Sequence, residues 1–167
     1  HGVIVSQDKV PWVQDGSYTM WAPDCVENEG KYYFYFPAAP KGEEKGFGIG
    51  VAVADQPEGP FMPMWKPIEG VHGIDPCVLI DKDGQAYIYF GQTLKFAKLS
   101  DDMLSFDGEV KTVDTSGLKG YVEGPWFYGR TNPDTGEKKY YFVYAGRGTN
   151  HEDMIYSMAD SPEGPWN

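Results

Sequence analysis

The sequence predicts an all-β fold, a β-propeller of about three blades, each a four-stranded antiparallel sheet. Three observations carry that prediction. Aromatic runs recur at a fixed interval, with Lys31-Tyr-Tyr-Phe-Tyr-Phe36, Gln85-Ala-Tyr-Ile-Tyr-Phe90 and Lys139-Tyr-Tyr-Phe-Val-Tyr144 each beginning 54 residues after the one before. Turn chemistry recurs with them, and so does a proline-containing segment upstream of each run. A repeat of this length marks a supersecondary unit that cannot bury its apolar face alone.

Each element of the unit follows from local chemistry. The first is a short segment containing proline, namely Trp21-Ala-Pro-Asp24, Ile74-Asp-Pro-Cys77 and Glu123-Gly-Pro-Trp126. The second is the aromatic run, which reads as a strand because aromatic and β-branched residues suit a pleated surface. Gly30 and Gly84 supply tight turns before the first two runs, and Gly136 lies in the longer turn before the third. The third element is another strand, in Gly46–Ala54, Leu94–Leu99 and Asp153–Ala159. Two of these end in nearly the same text, Ala54-Asp-Gln-Pro-Glu-Gly-Pro-Phe61 and Ala159-Asp-Ser-Pro-Glu-Gly-Pro-Trp166. Proline and glycine there stop the strand and send the chain to an outer edge strand. The expected blades span 17–70, 71–116 and 117–167, with 1–16 left as the remnant of a preceding blade whose outer strand is Val3–Val5.

Closed propellers use four to eight blades, so about three leave blade faces bare. Either the chain is a piece of a larger propeller, which is the expectation, or copies associate to cover those faces. The opening His1-Gly-Val-Ile-Val5 lacks an initiating methionine, which points to processing or truncation. The 167 residues fit one domain, and a formal net charge of −11 argues against nucleic-acid and anionic-membrane partners, which need clustered Lys and Arg. No run of 18 apolar residues is present, so no membrane-spanning helix is expected. Cys25 and Cys77 are too few for a disulfide framework or a metal cluster and read as small buried residues.

Side chains at equivalent points of successive inner strands converge on a propeller's central channel. Those points carry Asp24, Asp75 and Glu123. Two converging carboxylates are the minimum for glycoside hydrolysis, one protonated to serve the leaving oxygen and one ionised. A carboxylate held near a second one keeps its proton to higher pH. The plainer alternative is that Asp75 and Glu123 accept hydrogen bonds from backbone N–H groups at turns.

Trp21-Ala-Pro-Asp24, Gly73-Ile-Asp-Pro76 and Glu123-Gly-Pro125, in this order and spacing, resemble glycoside hydrolase family 43, the five-bladed propeller furanosidases and xylosidases. The Asp83-Gly84 turn, the tyrosine-rich second strands and the Ser161-Pro-Glu-Gly-Pro-Trp166 ending are similar too. The resemblance implies that the chain covers the central blades of an incomplete five-bladed propeller. It implies Glu123 as general acid and Asp75 as the carboxylate that tunes and orients it. Trp21 and Trp126 are expected at the pocket wall, where aromatic faces suit the C–H faces of a sugar. Asp24 is expected to be structural, with sugar contact as its alternative role.

The family's general base, an aspartate on the first blade, has no counterpart in these residues, and neither does the fifth blade that carries a channel histidine near a cation. His72 and His151 do not match that histidine. The implied activity is inverting cleavage of α-L-arabinofuranosidic or β-D-xylosidic bonds in plant polysaccharides, with this stretch alone inactive. No cofactor is required by this reading, although the complete propeller could hold a channel Ca²⁺. A secreted or periplasmic setting is the expectation. A non-catalytic carbohydrate-binding propeller is the alternative from another class, and a protein-binding scaffold is a third.

Overall fold

The alternation of large residues along each aromatic run decides how the sheets stack. The computed structural model describes residues 2–42 and 46–167. It contains three antiparallel sheets and one 3₁₀ turn at Gln7–Lys9. The first sheet is the meander β1 (Asp24–Asn28), β2 (Lys31–Ala38), β3 (Gly48–Ala54) and β4 (Met62–Pro63). The second repeats it with β5 (Cys77–Ile80), β6 (Ala86–Phe90), β7 (Lys95–Lys98) and β8 (Lys111–Thr112). The third has β9 (Tyr121–Thr131), β10 (Lys138–Arg147) and β11 (Glu152–Ala159), in the order β11-β10-β9. These are three propeller blades, two of four strands and one of three.

Turn residues close each meander. Glu29 and Gly30 both have positive φ, the requirement of a two-residue hairpin loop, and the Asn28–Lys31 pair shuts it. In the second blade the Gly84 N–H donates to the Asp81 carbonyl at 2.9 Å. In the third blade, Asn167 exchanges both backbone hydrogen bonds with Met158, much as Met62 pairs with Val53 at the start of β4.

The 54-residue interval becomes a packing register. Tyr33 and Tyr35 on β2 bury their rings against the second blade, among Val78, Ile88 and Phe90. Their equivalents Tyr87 and Tyr89 on β6 bury theirs against the third blade, among Phe127, Phe142 and Tyr144. Tyr89 stacks on Phe127, with 3.6 Å between centroids, and Phe127 on Phe142, with 4.1 Å. Burying each such ring stabilises the fold by roughly 1.5–3 kcal/mol before entropy is counted. Both inner tyrosines also reach over the interface: the Tyr35 hydroxyl donates to the Met103 carbonyl at 2.8 Å, and the Tyr89 hydroxyl to the Pro162 carbonyl.

A half-buried carboxylate adds a second tie between blades two and three. Asp81 accepts from the Lys138 ammonium and, at 2.6 Å, from the Tyr140 hydroxyl. Burial by itself would raise the Asp81 carboxyl, but those two donors outweigh it and its pKa lies below the ordinary value.

The outward faces differ. On the first blade, Val10, Trp12 and Val13 cover Phe36, Ala38 and Ala52, and Val13 bridges to Pro40. On the third blade, the residues equivalent to the buried tyrosines are Tyr141 and Val143. They sit on a face with Trp126, Tyr128, Met154 and Tyr156, of which Trp126, Met154 and Tyr156 are exposed.

Val3–Val5 does not form the expected outer strand. Val3 and Ile4 are exposed and pair with no strand among the described residues; the chain packs on the first blade through Val5 and then Val10–Val13.

Candidate active site

Three segments from two blades meet where β5 and β9 begin. Asp75 stands just ahead of β5, with φ at +54°, a left-handed conformation that aspartate tolerates better than most residues. Such conformations persist where surrounding structure holds them, and here the Ile74 carbonyl accepts the Gly91 N–H at 2.8 Å. Glu123 is the third residue of β9 and lies opposite Ala145, next to a register shift between Ala145 and Val143.

Asp75 Oδ2 accepts the backbone N–H of Gly124 at 3.1 Å, which joins the two carboxylate segments directly. Asp75 and Glu123 are both half-buried. Burial pushes the Asp75 carboxyl up; the Gly124 N–H opposes that, and the charge of Glu123 adds to it. The bond to Gly124 is the backbone contact of the plainer reading, and it brings Asp75 beside the segment that carries Glu123.

Two further residues that sequence reasoning missed complete the cluster. Gln92 Nε2 donates to Glu123 Oε2 at 3.2 Å. The Tyr121 hydroxyl donates to the Gly91 carbonyl at 2.7 Å. Burial, followed by the charges of Asp75 and Glu123, pushes the Tyr121 phenol well up, so it stays a neutral donor. Gly91 after an apolar strand is a legible turn signal, but nothing in the text marks how far the next side chain reaches.

The other expected residues fall into different places. Asp24 is 8% exposed, its Oδ1 accepting the Cys25 N–H at 2.8 Å and its Oδ2 the Val78 N–H at 2.7 Å. Burial raises its carboxyl. Asp24 thus ties the first blade to the second, the structural role of its two expected ones. The tie continues inward, because the Phe127 N–H donates to the Cys77 sulfur at 3.2 Å.

Trp21 is half exposed, donates from Nε1 to the Tyr18 carbonyl at 2.9 Å, and packs on Phe47 with 4.6 Å between centroids. Trp126 is also half exposed and lies opposite Val143, on the open face of the third blade with Tyr141 and Tyr156. His72 is exposed, and His151 pairs with Asp153 at 3.1 Å. The Arg147–Glu152 turn lies beside β9, with the Arg147 N–H on the Gly120 carbonyl. The other candidate loop, Pro40–Gly46, has residues 43–45 outside the described residues. No three His, Cys, Asp or Glu side chains converge among the described residues, so these side chains do not by themselves fit a bound cation.

Known proteins share this arrangement of strands and text. A xylosidase/arabinosidase of Humicola insolens is 34% identical over 99% of this chain and 61% of its own length. A β-xylosidase/α-arabinofuranosidase from a compost microbial metagenome, solved with xylotriose in a calcium-free form, superposes with a TM-score of 0.80 at 32% identity, over 99% of this chain and 59% of its own. A Xanthomonas citri enzyme solved with xylose gives a TM-score of 0.80 at 31% identity, over 99% of this chain and 58% of its own. The chain thus spans about three fifths of the length of these proteins. Its whole extent, residues 1–167, matches the family description for glycosyl hydrolases family 43, and on that match, with three propeller blades carrying the ordered motifs, the chain belongs to this family.

Proposed function

We propose that these blades belong to a glycosidase that hydrolyses β-D-xylosidic or α-L-arabinofuranosidic bonds of plant polysaccharides, with Glu123 as general acid and Asp75 as the carboxylate that tunes and orients it. The observation that carries this reading is the hydrogen bond from Gly124 to Asp75, which seats one carboxylate beside the residue bearing the other. The relatives bound to xylose and xylotriose support a pentose-containing substrate.

In the proposed reaction Glu123 delivers a proton to the glycosidic oxygen as its bond to the anomeric carbon breaks. A water attacks from the opposite face and gives its proton to a general base, so the configuration inverts. No residue in 1–167 matches that base, and a complete cycle draws it from outside these residues. Trp21 offers a half-exposed aromatic face to the sugar.

The test is Glu123→Gln in the full-length protein, assayed on xylo-oligosaccharides and on α-L-arabinofuranosides. Turnover should fall by about 10²–10⁴-fold while calorimetry still detects sugar binding. Full activity in that variant sinks the acid assignment. Binding without turnover by the unmutated full-length protein would instead establish a carbohydrate-binding propeller.

A further inference from the structure

We propose that Gln92 is a positioning residue for the proton donor: its amide holds Glu123 Oε2, which leaves Oε1 as the oxygen that carries and delivers the proton. The inference rests on Glu123 being the general acid.

The base of this device is rigid. Gly91 is buried with φ at +87°, and a Cβ added there would meet the Thr93 carbonyl at 3.2 Å. Its N–H is bound to Ile74, its carbonyl to the Tyr121 hydroxyl, and the Leu94 carbonyl to the Val113 N–H at 2.9 Å. Gly73 lies so close that a Cβ there would meet Phe90 at 2.9 Å and the Gly91 Cα at 3.4 Å. The turn between β6 and β7 therefore brackets both segments, one residue before Asp75 and two before Glu123.

The tip of the device is different in kind. Gln92 is exposed, so its side chain gains little from packing, yet its amide reaches Glu123 at 3.2 Å. An amide N–H can donate to the carbonyl oxygen of a protonated carboxyl as well as to a carboxylate. With Oε2 engaged, the proton resides on Oε1. As the glycosidic C–O bond breaks, its electron pair stays on the leaving oxygen, which takes the Oε1 proton. Glu123 becomes a carboxylate, and the Gln92 bond becomes charge-assisted and stronger. The interaction thus grows along the reaction path, the condition for an effect on rate. Asp75 ahead of β5 and Tyr121 on β9 are the titratable groups facing Glu123, and no salt bridge to it exists among the described residues.

The experiment uses Gln92→Leu, Gln92→Glu and Glu123→Gln in the full-length protein. Each is assayed on xylobiose, whose leaving group needs protonation, and on 2,4-dinitrophenyl β-D-xyloside, whose leaving group does not; the matching arabinofuranosides are run in parallel. Gln92→Leu should lose about ten- to a hundred-fold in kcat/KM on xylobiose and keep its rate on the dinitrophenyl substrate. Without a donor favouring the ionised acid, the basic limb of its pH–rate profile should move to higher pH, and Gln92→Glu should move it further. An equal loss on both substrates, or an unchanged profile with unchanged rates, overturns the role of Gln92 while Glu123→Gln still reports on the acid. If Glu123→Gln keeps xylobiose turnover, or the unmutated protein cleaves neither pair, the acid assignment falls and this inference falls with it.

Discussion

The carboxylate of Asp75 is hydrogen-bonded to the backbone of Gly124, 3.1 Å away on a neighbouring blade, and not to a side chain. Its orientation is therefore fixed by the main chain of the segment that carries Glu123. The left-handed backbone at Asp75 sets the other end of that bond. That bond depends on no second side chain.

This predicts a separable effect of charge and geometry at position 75. Asn tolerates the left-handed conformation and keeps an acceptor for Gly124, so Asp75→Asn in the full-length protein should fold normally. It removes a negative charge beside Glu123, so the basic limb of the pH–rate profile should move to lower pH, opposite to the shift expected for Gln92→Leu. A pH series of kcat/KM for the two variants provides the check; shifts in the same direction would contradict the arrangement.

The half-buried tie at Asp81 makes a pH-dependent contribution to stability. Its folded pKa is depressed, so the contribution is present above its ordinary value of 3.8 and is lost as pH falls through the lower folded value. Asp81→Asn should lower the stability of the full-length protein by about 1–3 kcal/mol at pH 7, since Lys138 loses its partner. Thermal melts at pH 7 and near pH 3 should show the gap between the two proteins narrowing in acid. A gap that widens would contradict the sign.

The tyrosine hydroxyls that cross between blades should be measurable separately from the rings. Tyr35→Phe and Tyr89→Phe each remove one hydroxyl and leave the Met103 or Pro162 carbonyl without it, at about 1 kcal/mol apiece. Tyr89→Ala also empties the stack against Phe127 and should lose about 3–5 kcal/mol. Denaturant midpoints of the three variants provide the comparison, and equal losses for Tyr89→Phe and Tyr89→Ala would contradict the stacking account.

The open face of the third blade predicts opposite effects of one substitution in two settings. Residues 1–167 alone should self-associate through Trp126, Tyr141, Val143, Met154 and Tyr156. Tyr156→Lys should reduce that association in light scattering. In a longer protein in which a further sheet packed on this face, the same change should lower the melting temperature. Monomeric residues 1–167 with no binding of an apolar dye would count against this view.

Much of this fold is legible as text because the chain repeats itself. The interval that aligns Tyr33, Tyr87 and Tyr141 is the interval at which the interfaces recur, and periodic burial leaves a periodic trace. The prolines and glycines that end β3 and β11 are equally visible. Features fixed by one contact leave no such trace. Val3–Val5 has strand composition but joins no sheet among the described residues. Asp24 matches the channel positions by spacing, yet its carboxylate turns between blades because the Val78 N–H needs an acceptor there. Gln92 belongs to the candidate site through the reach of one exposed side chain, and no composition or period encodes that.

The two hydroxyl bridges end on carbonyls in turns, at Met103 and Pro162, and not on the facing strands. They therefore act as struts across a wedge, setting how far one blade can lean towards the next. Asp75 and Glu123 sit at the inner strands of two such wedged sheets. The approach of the segments that carry Asp75 and Glu123 is accordingly set in part by the lean of the second blade on the third, and so by Tyr89 and Pro162, which lie outside the cluster.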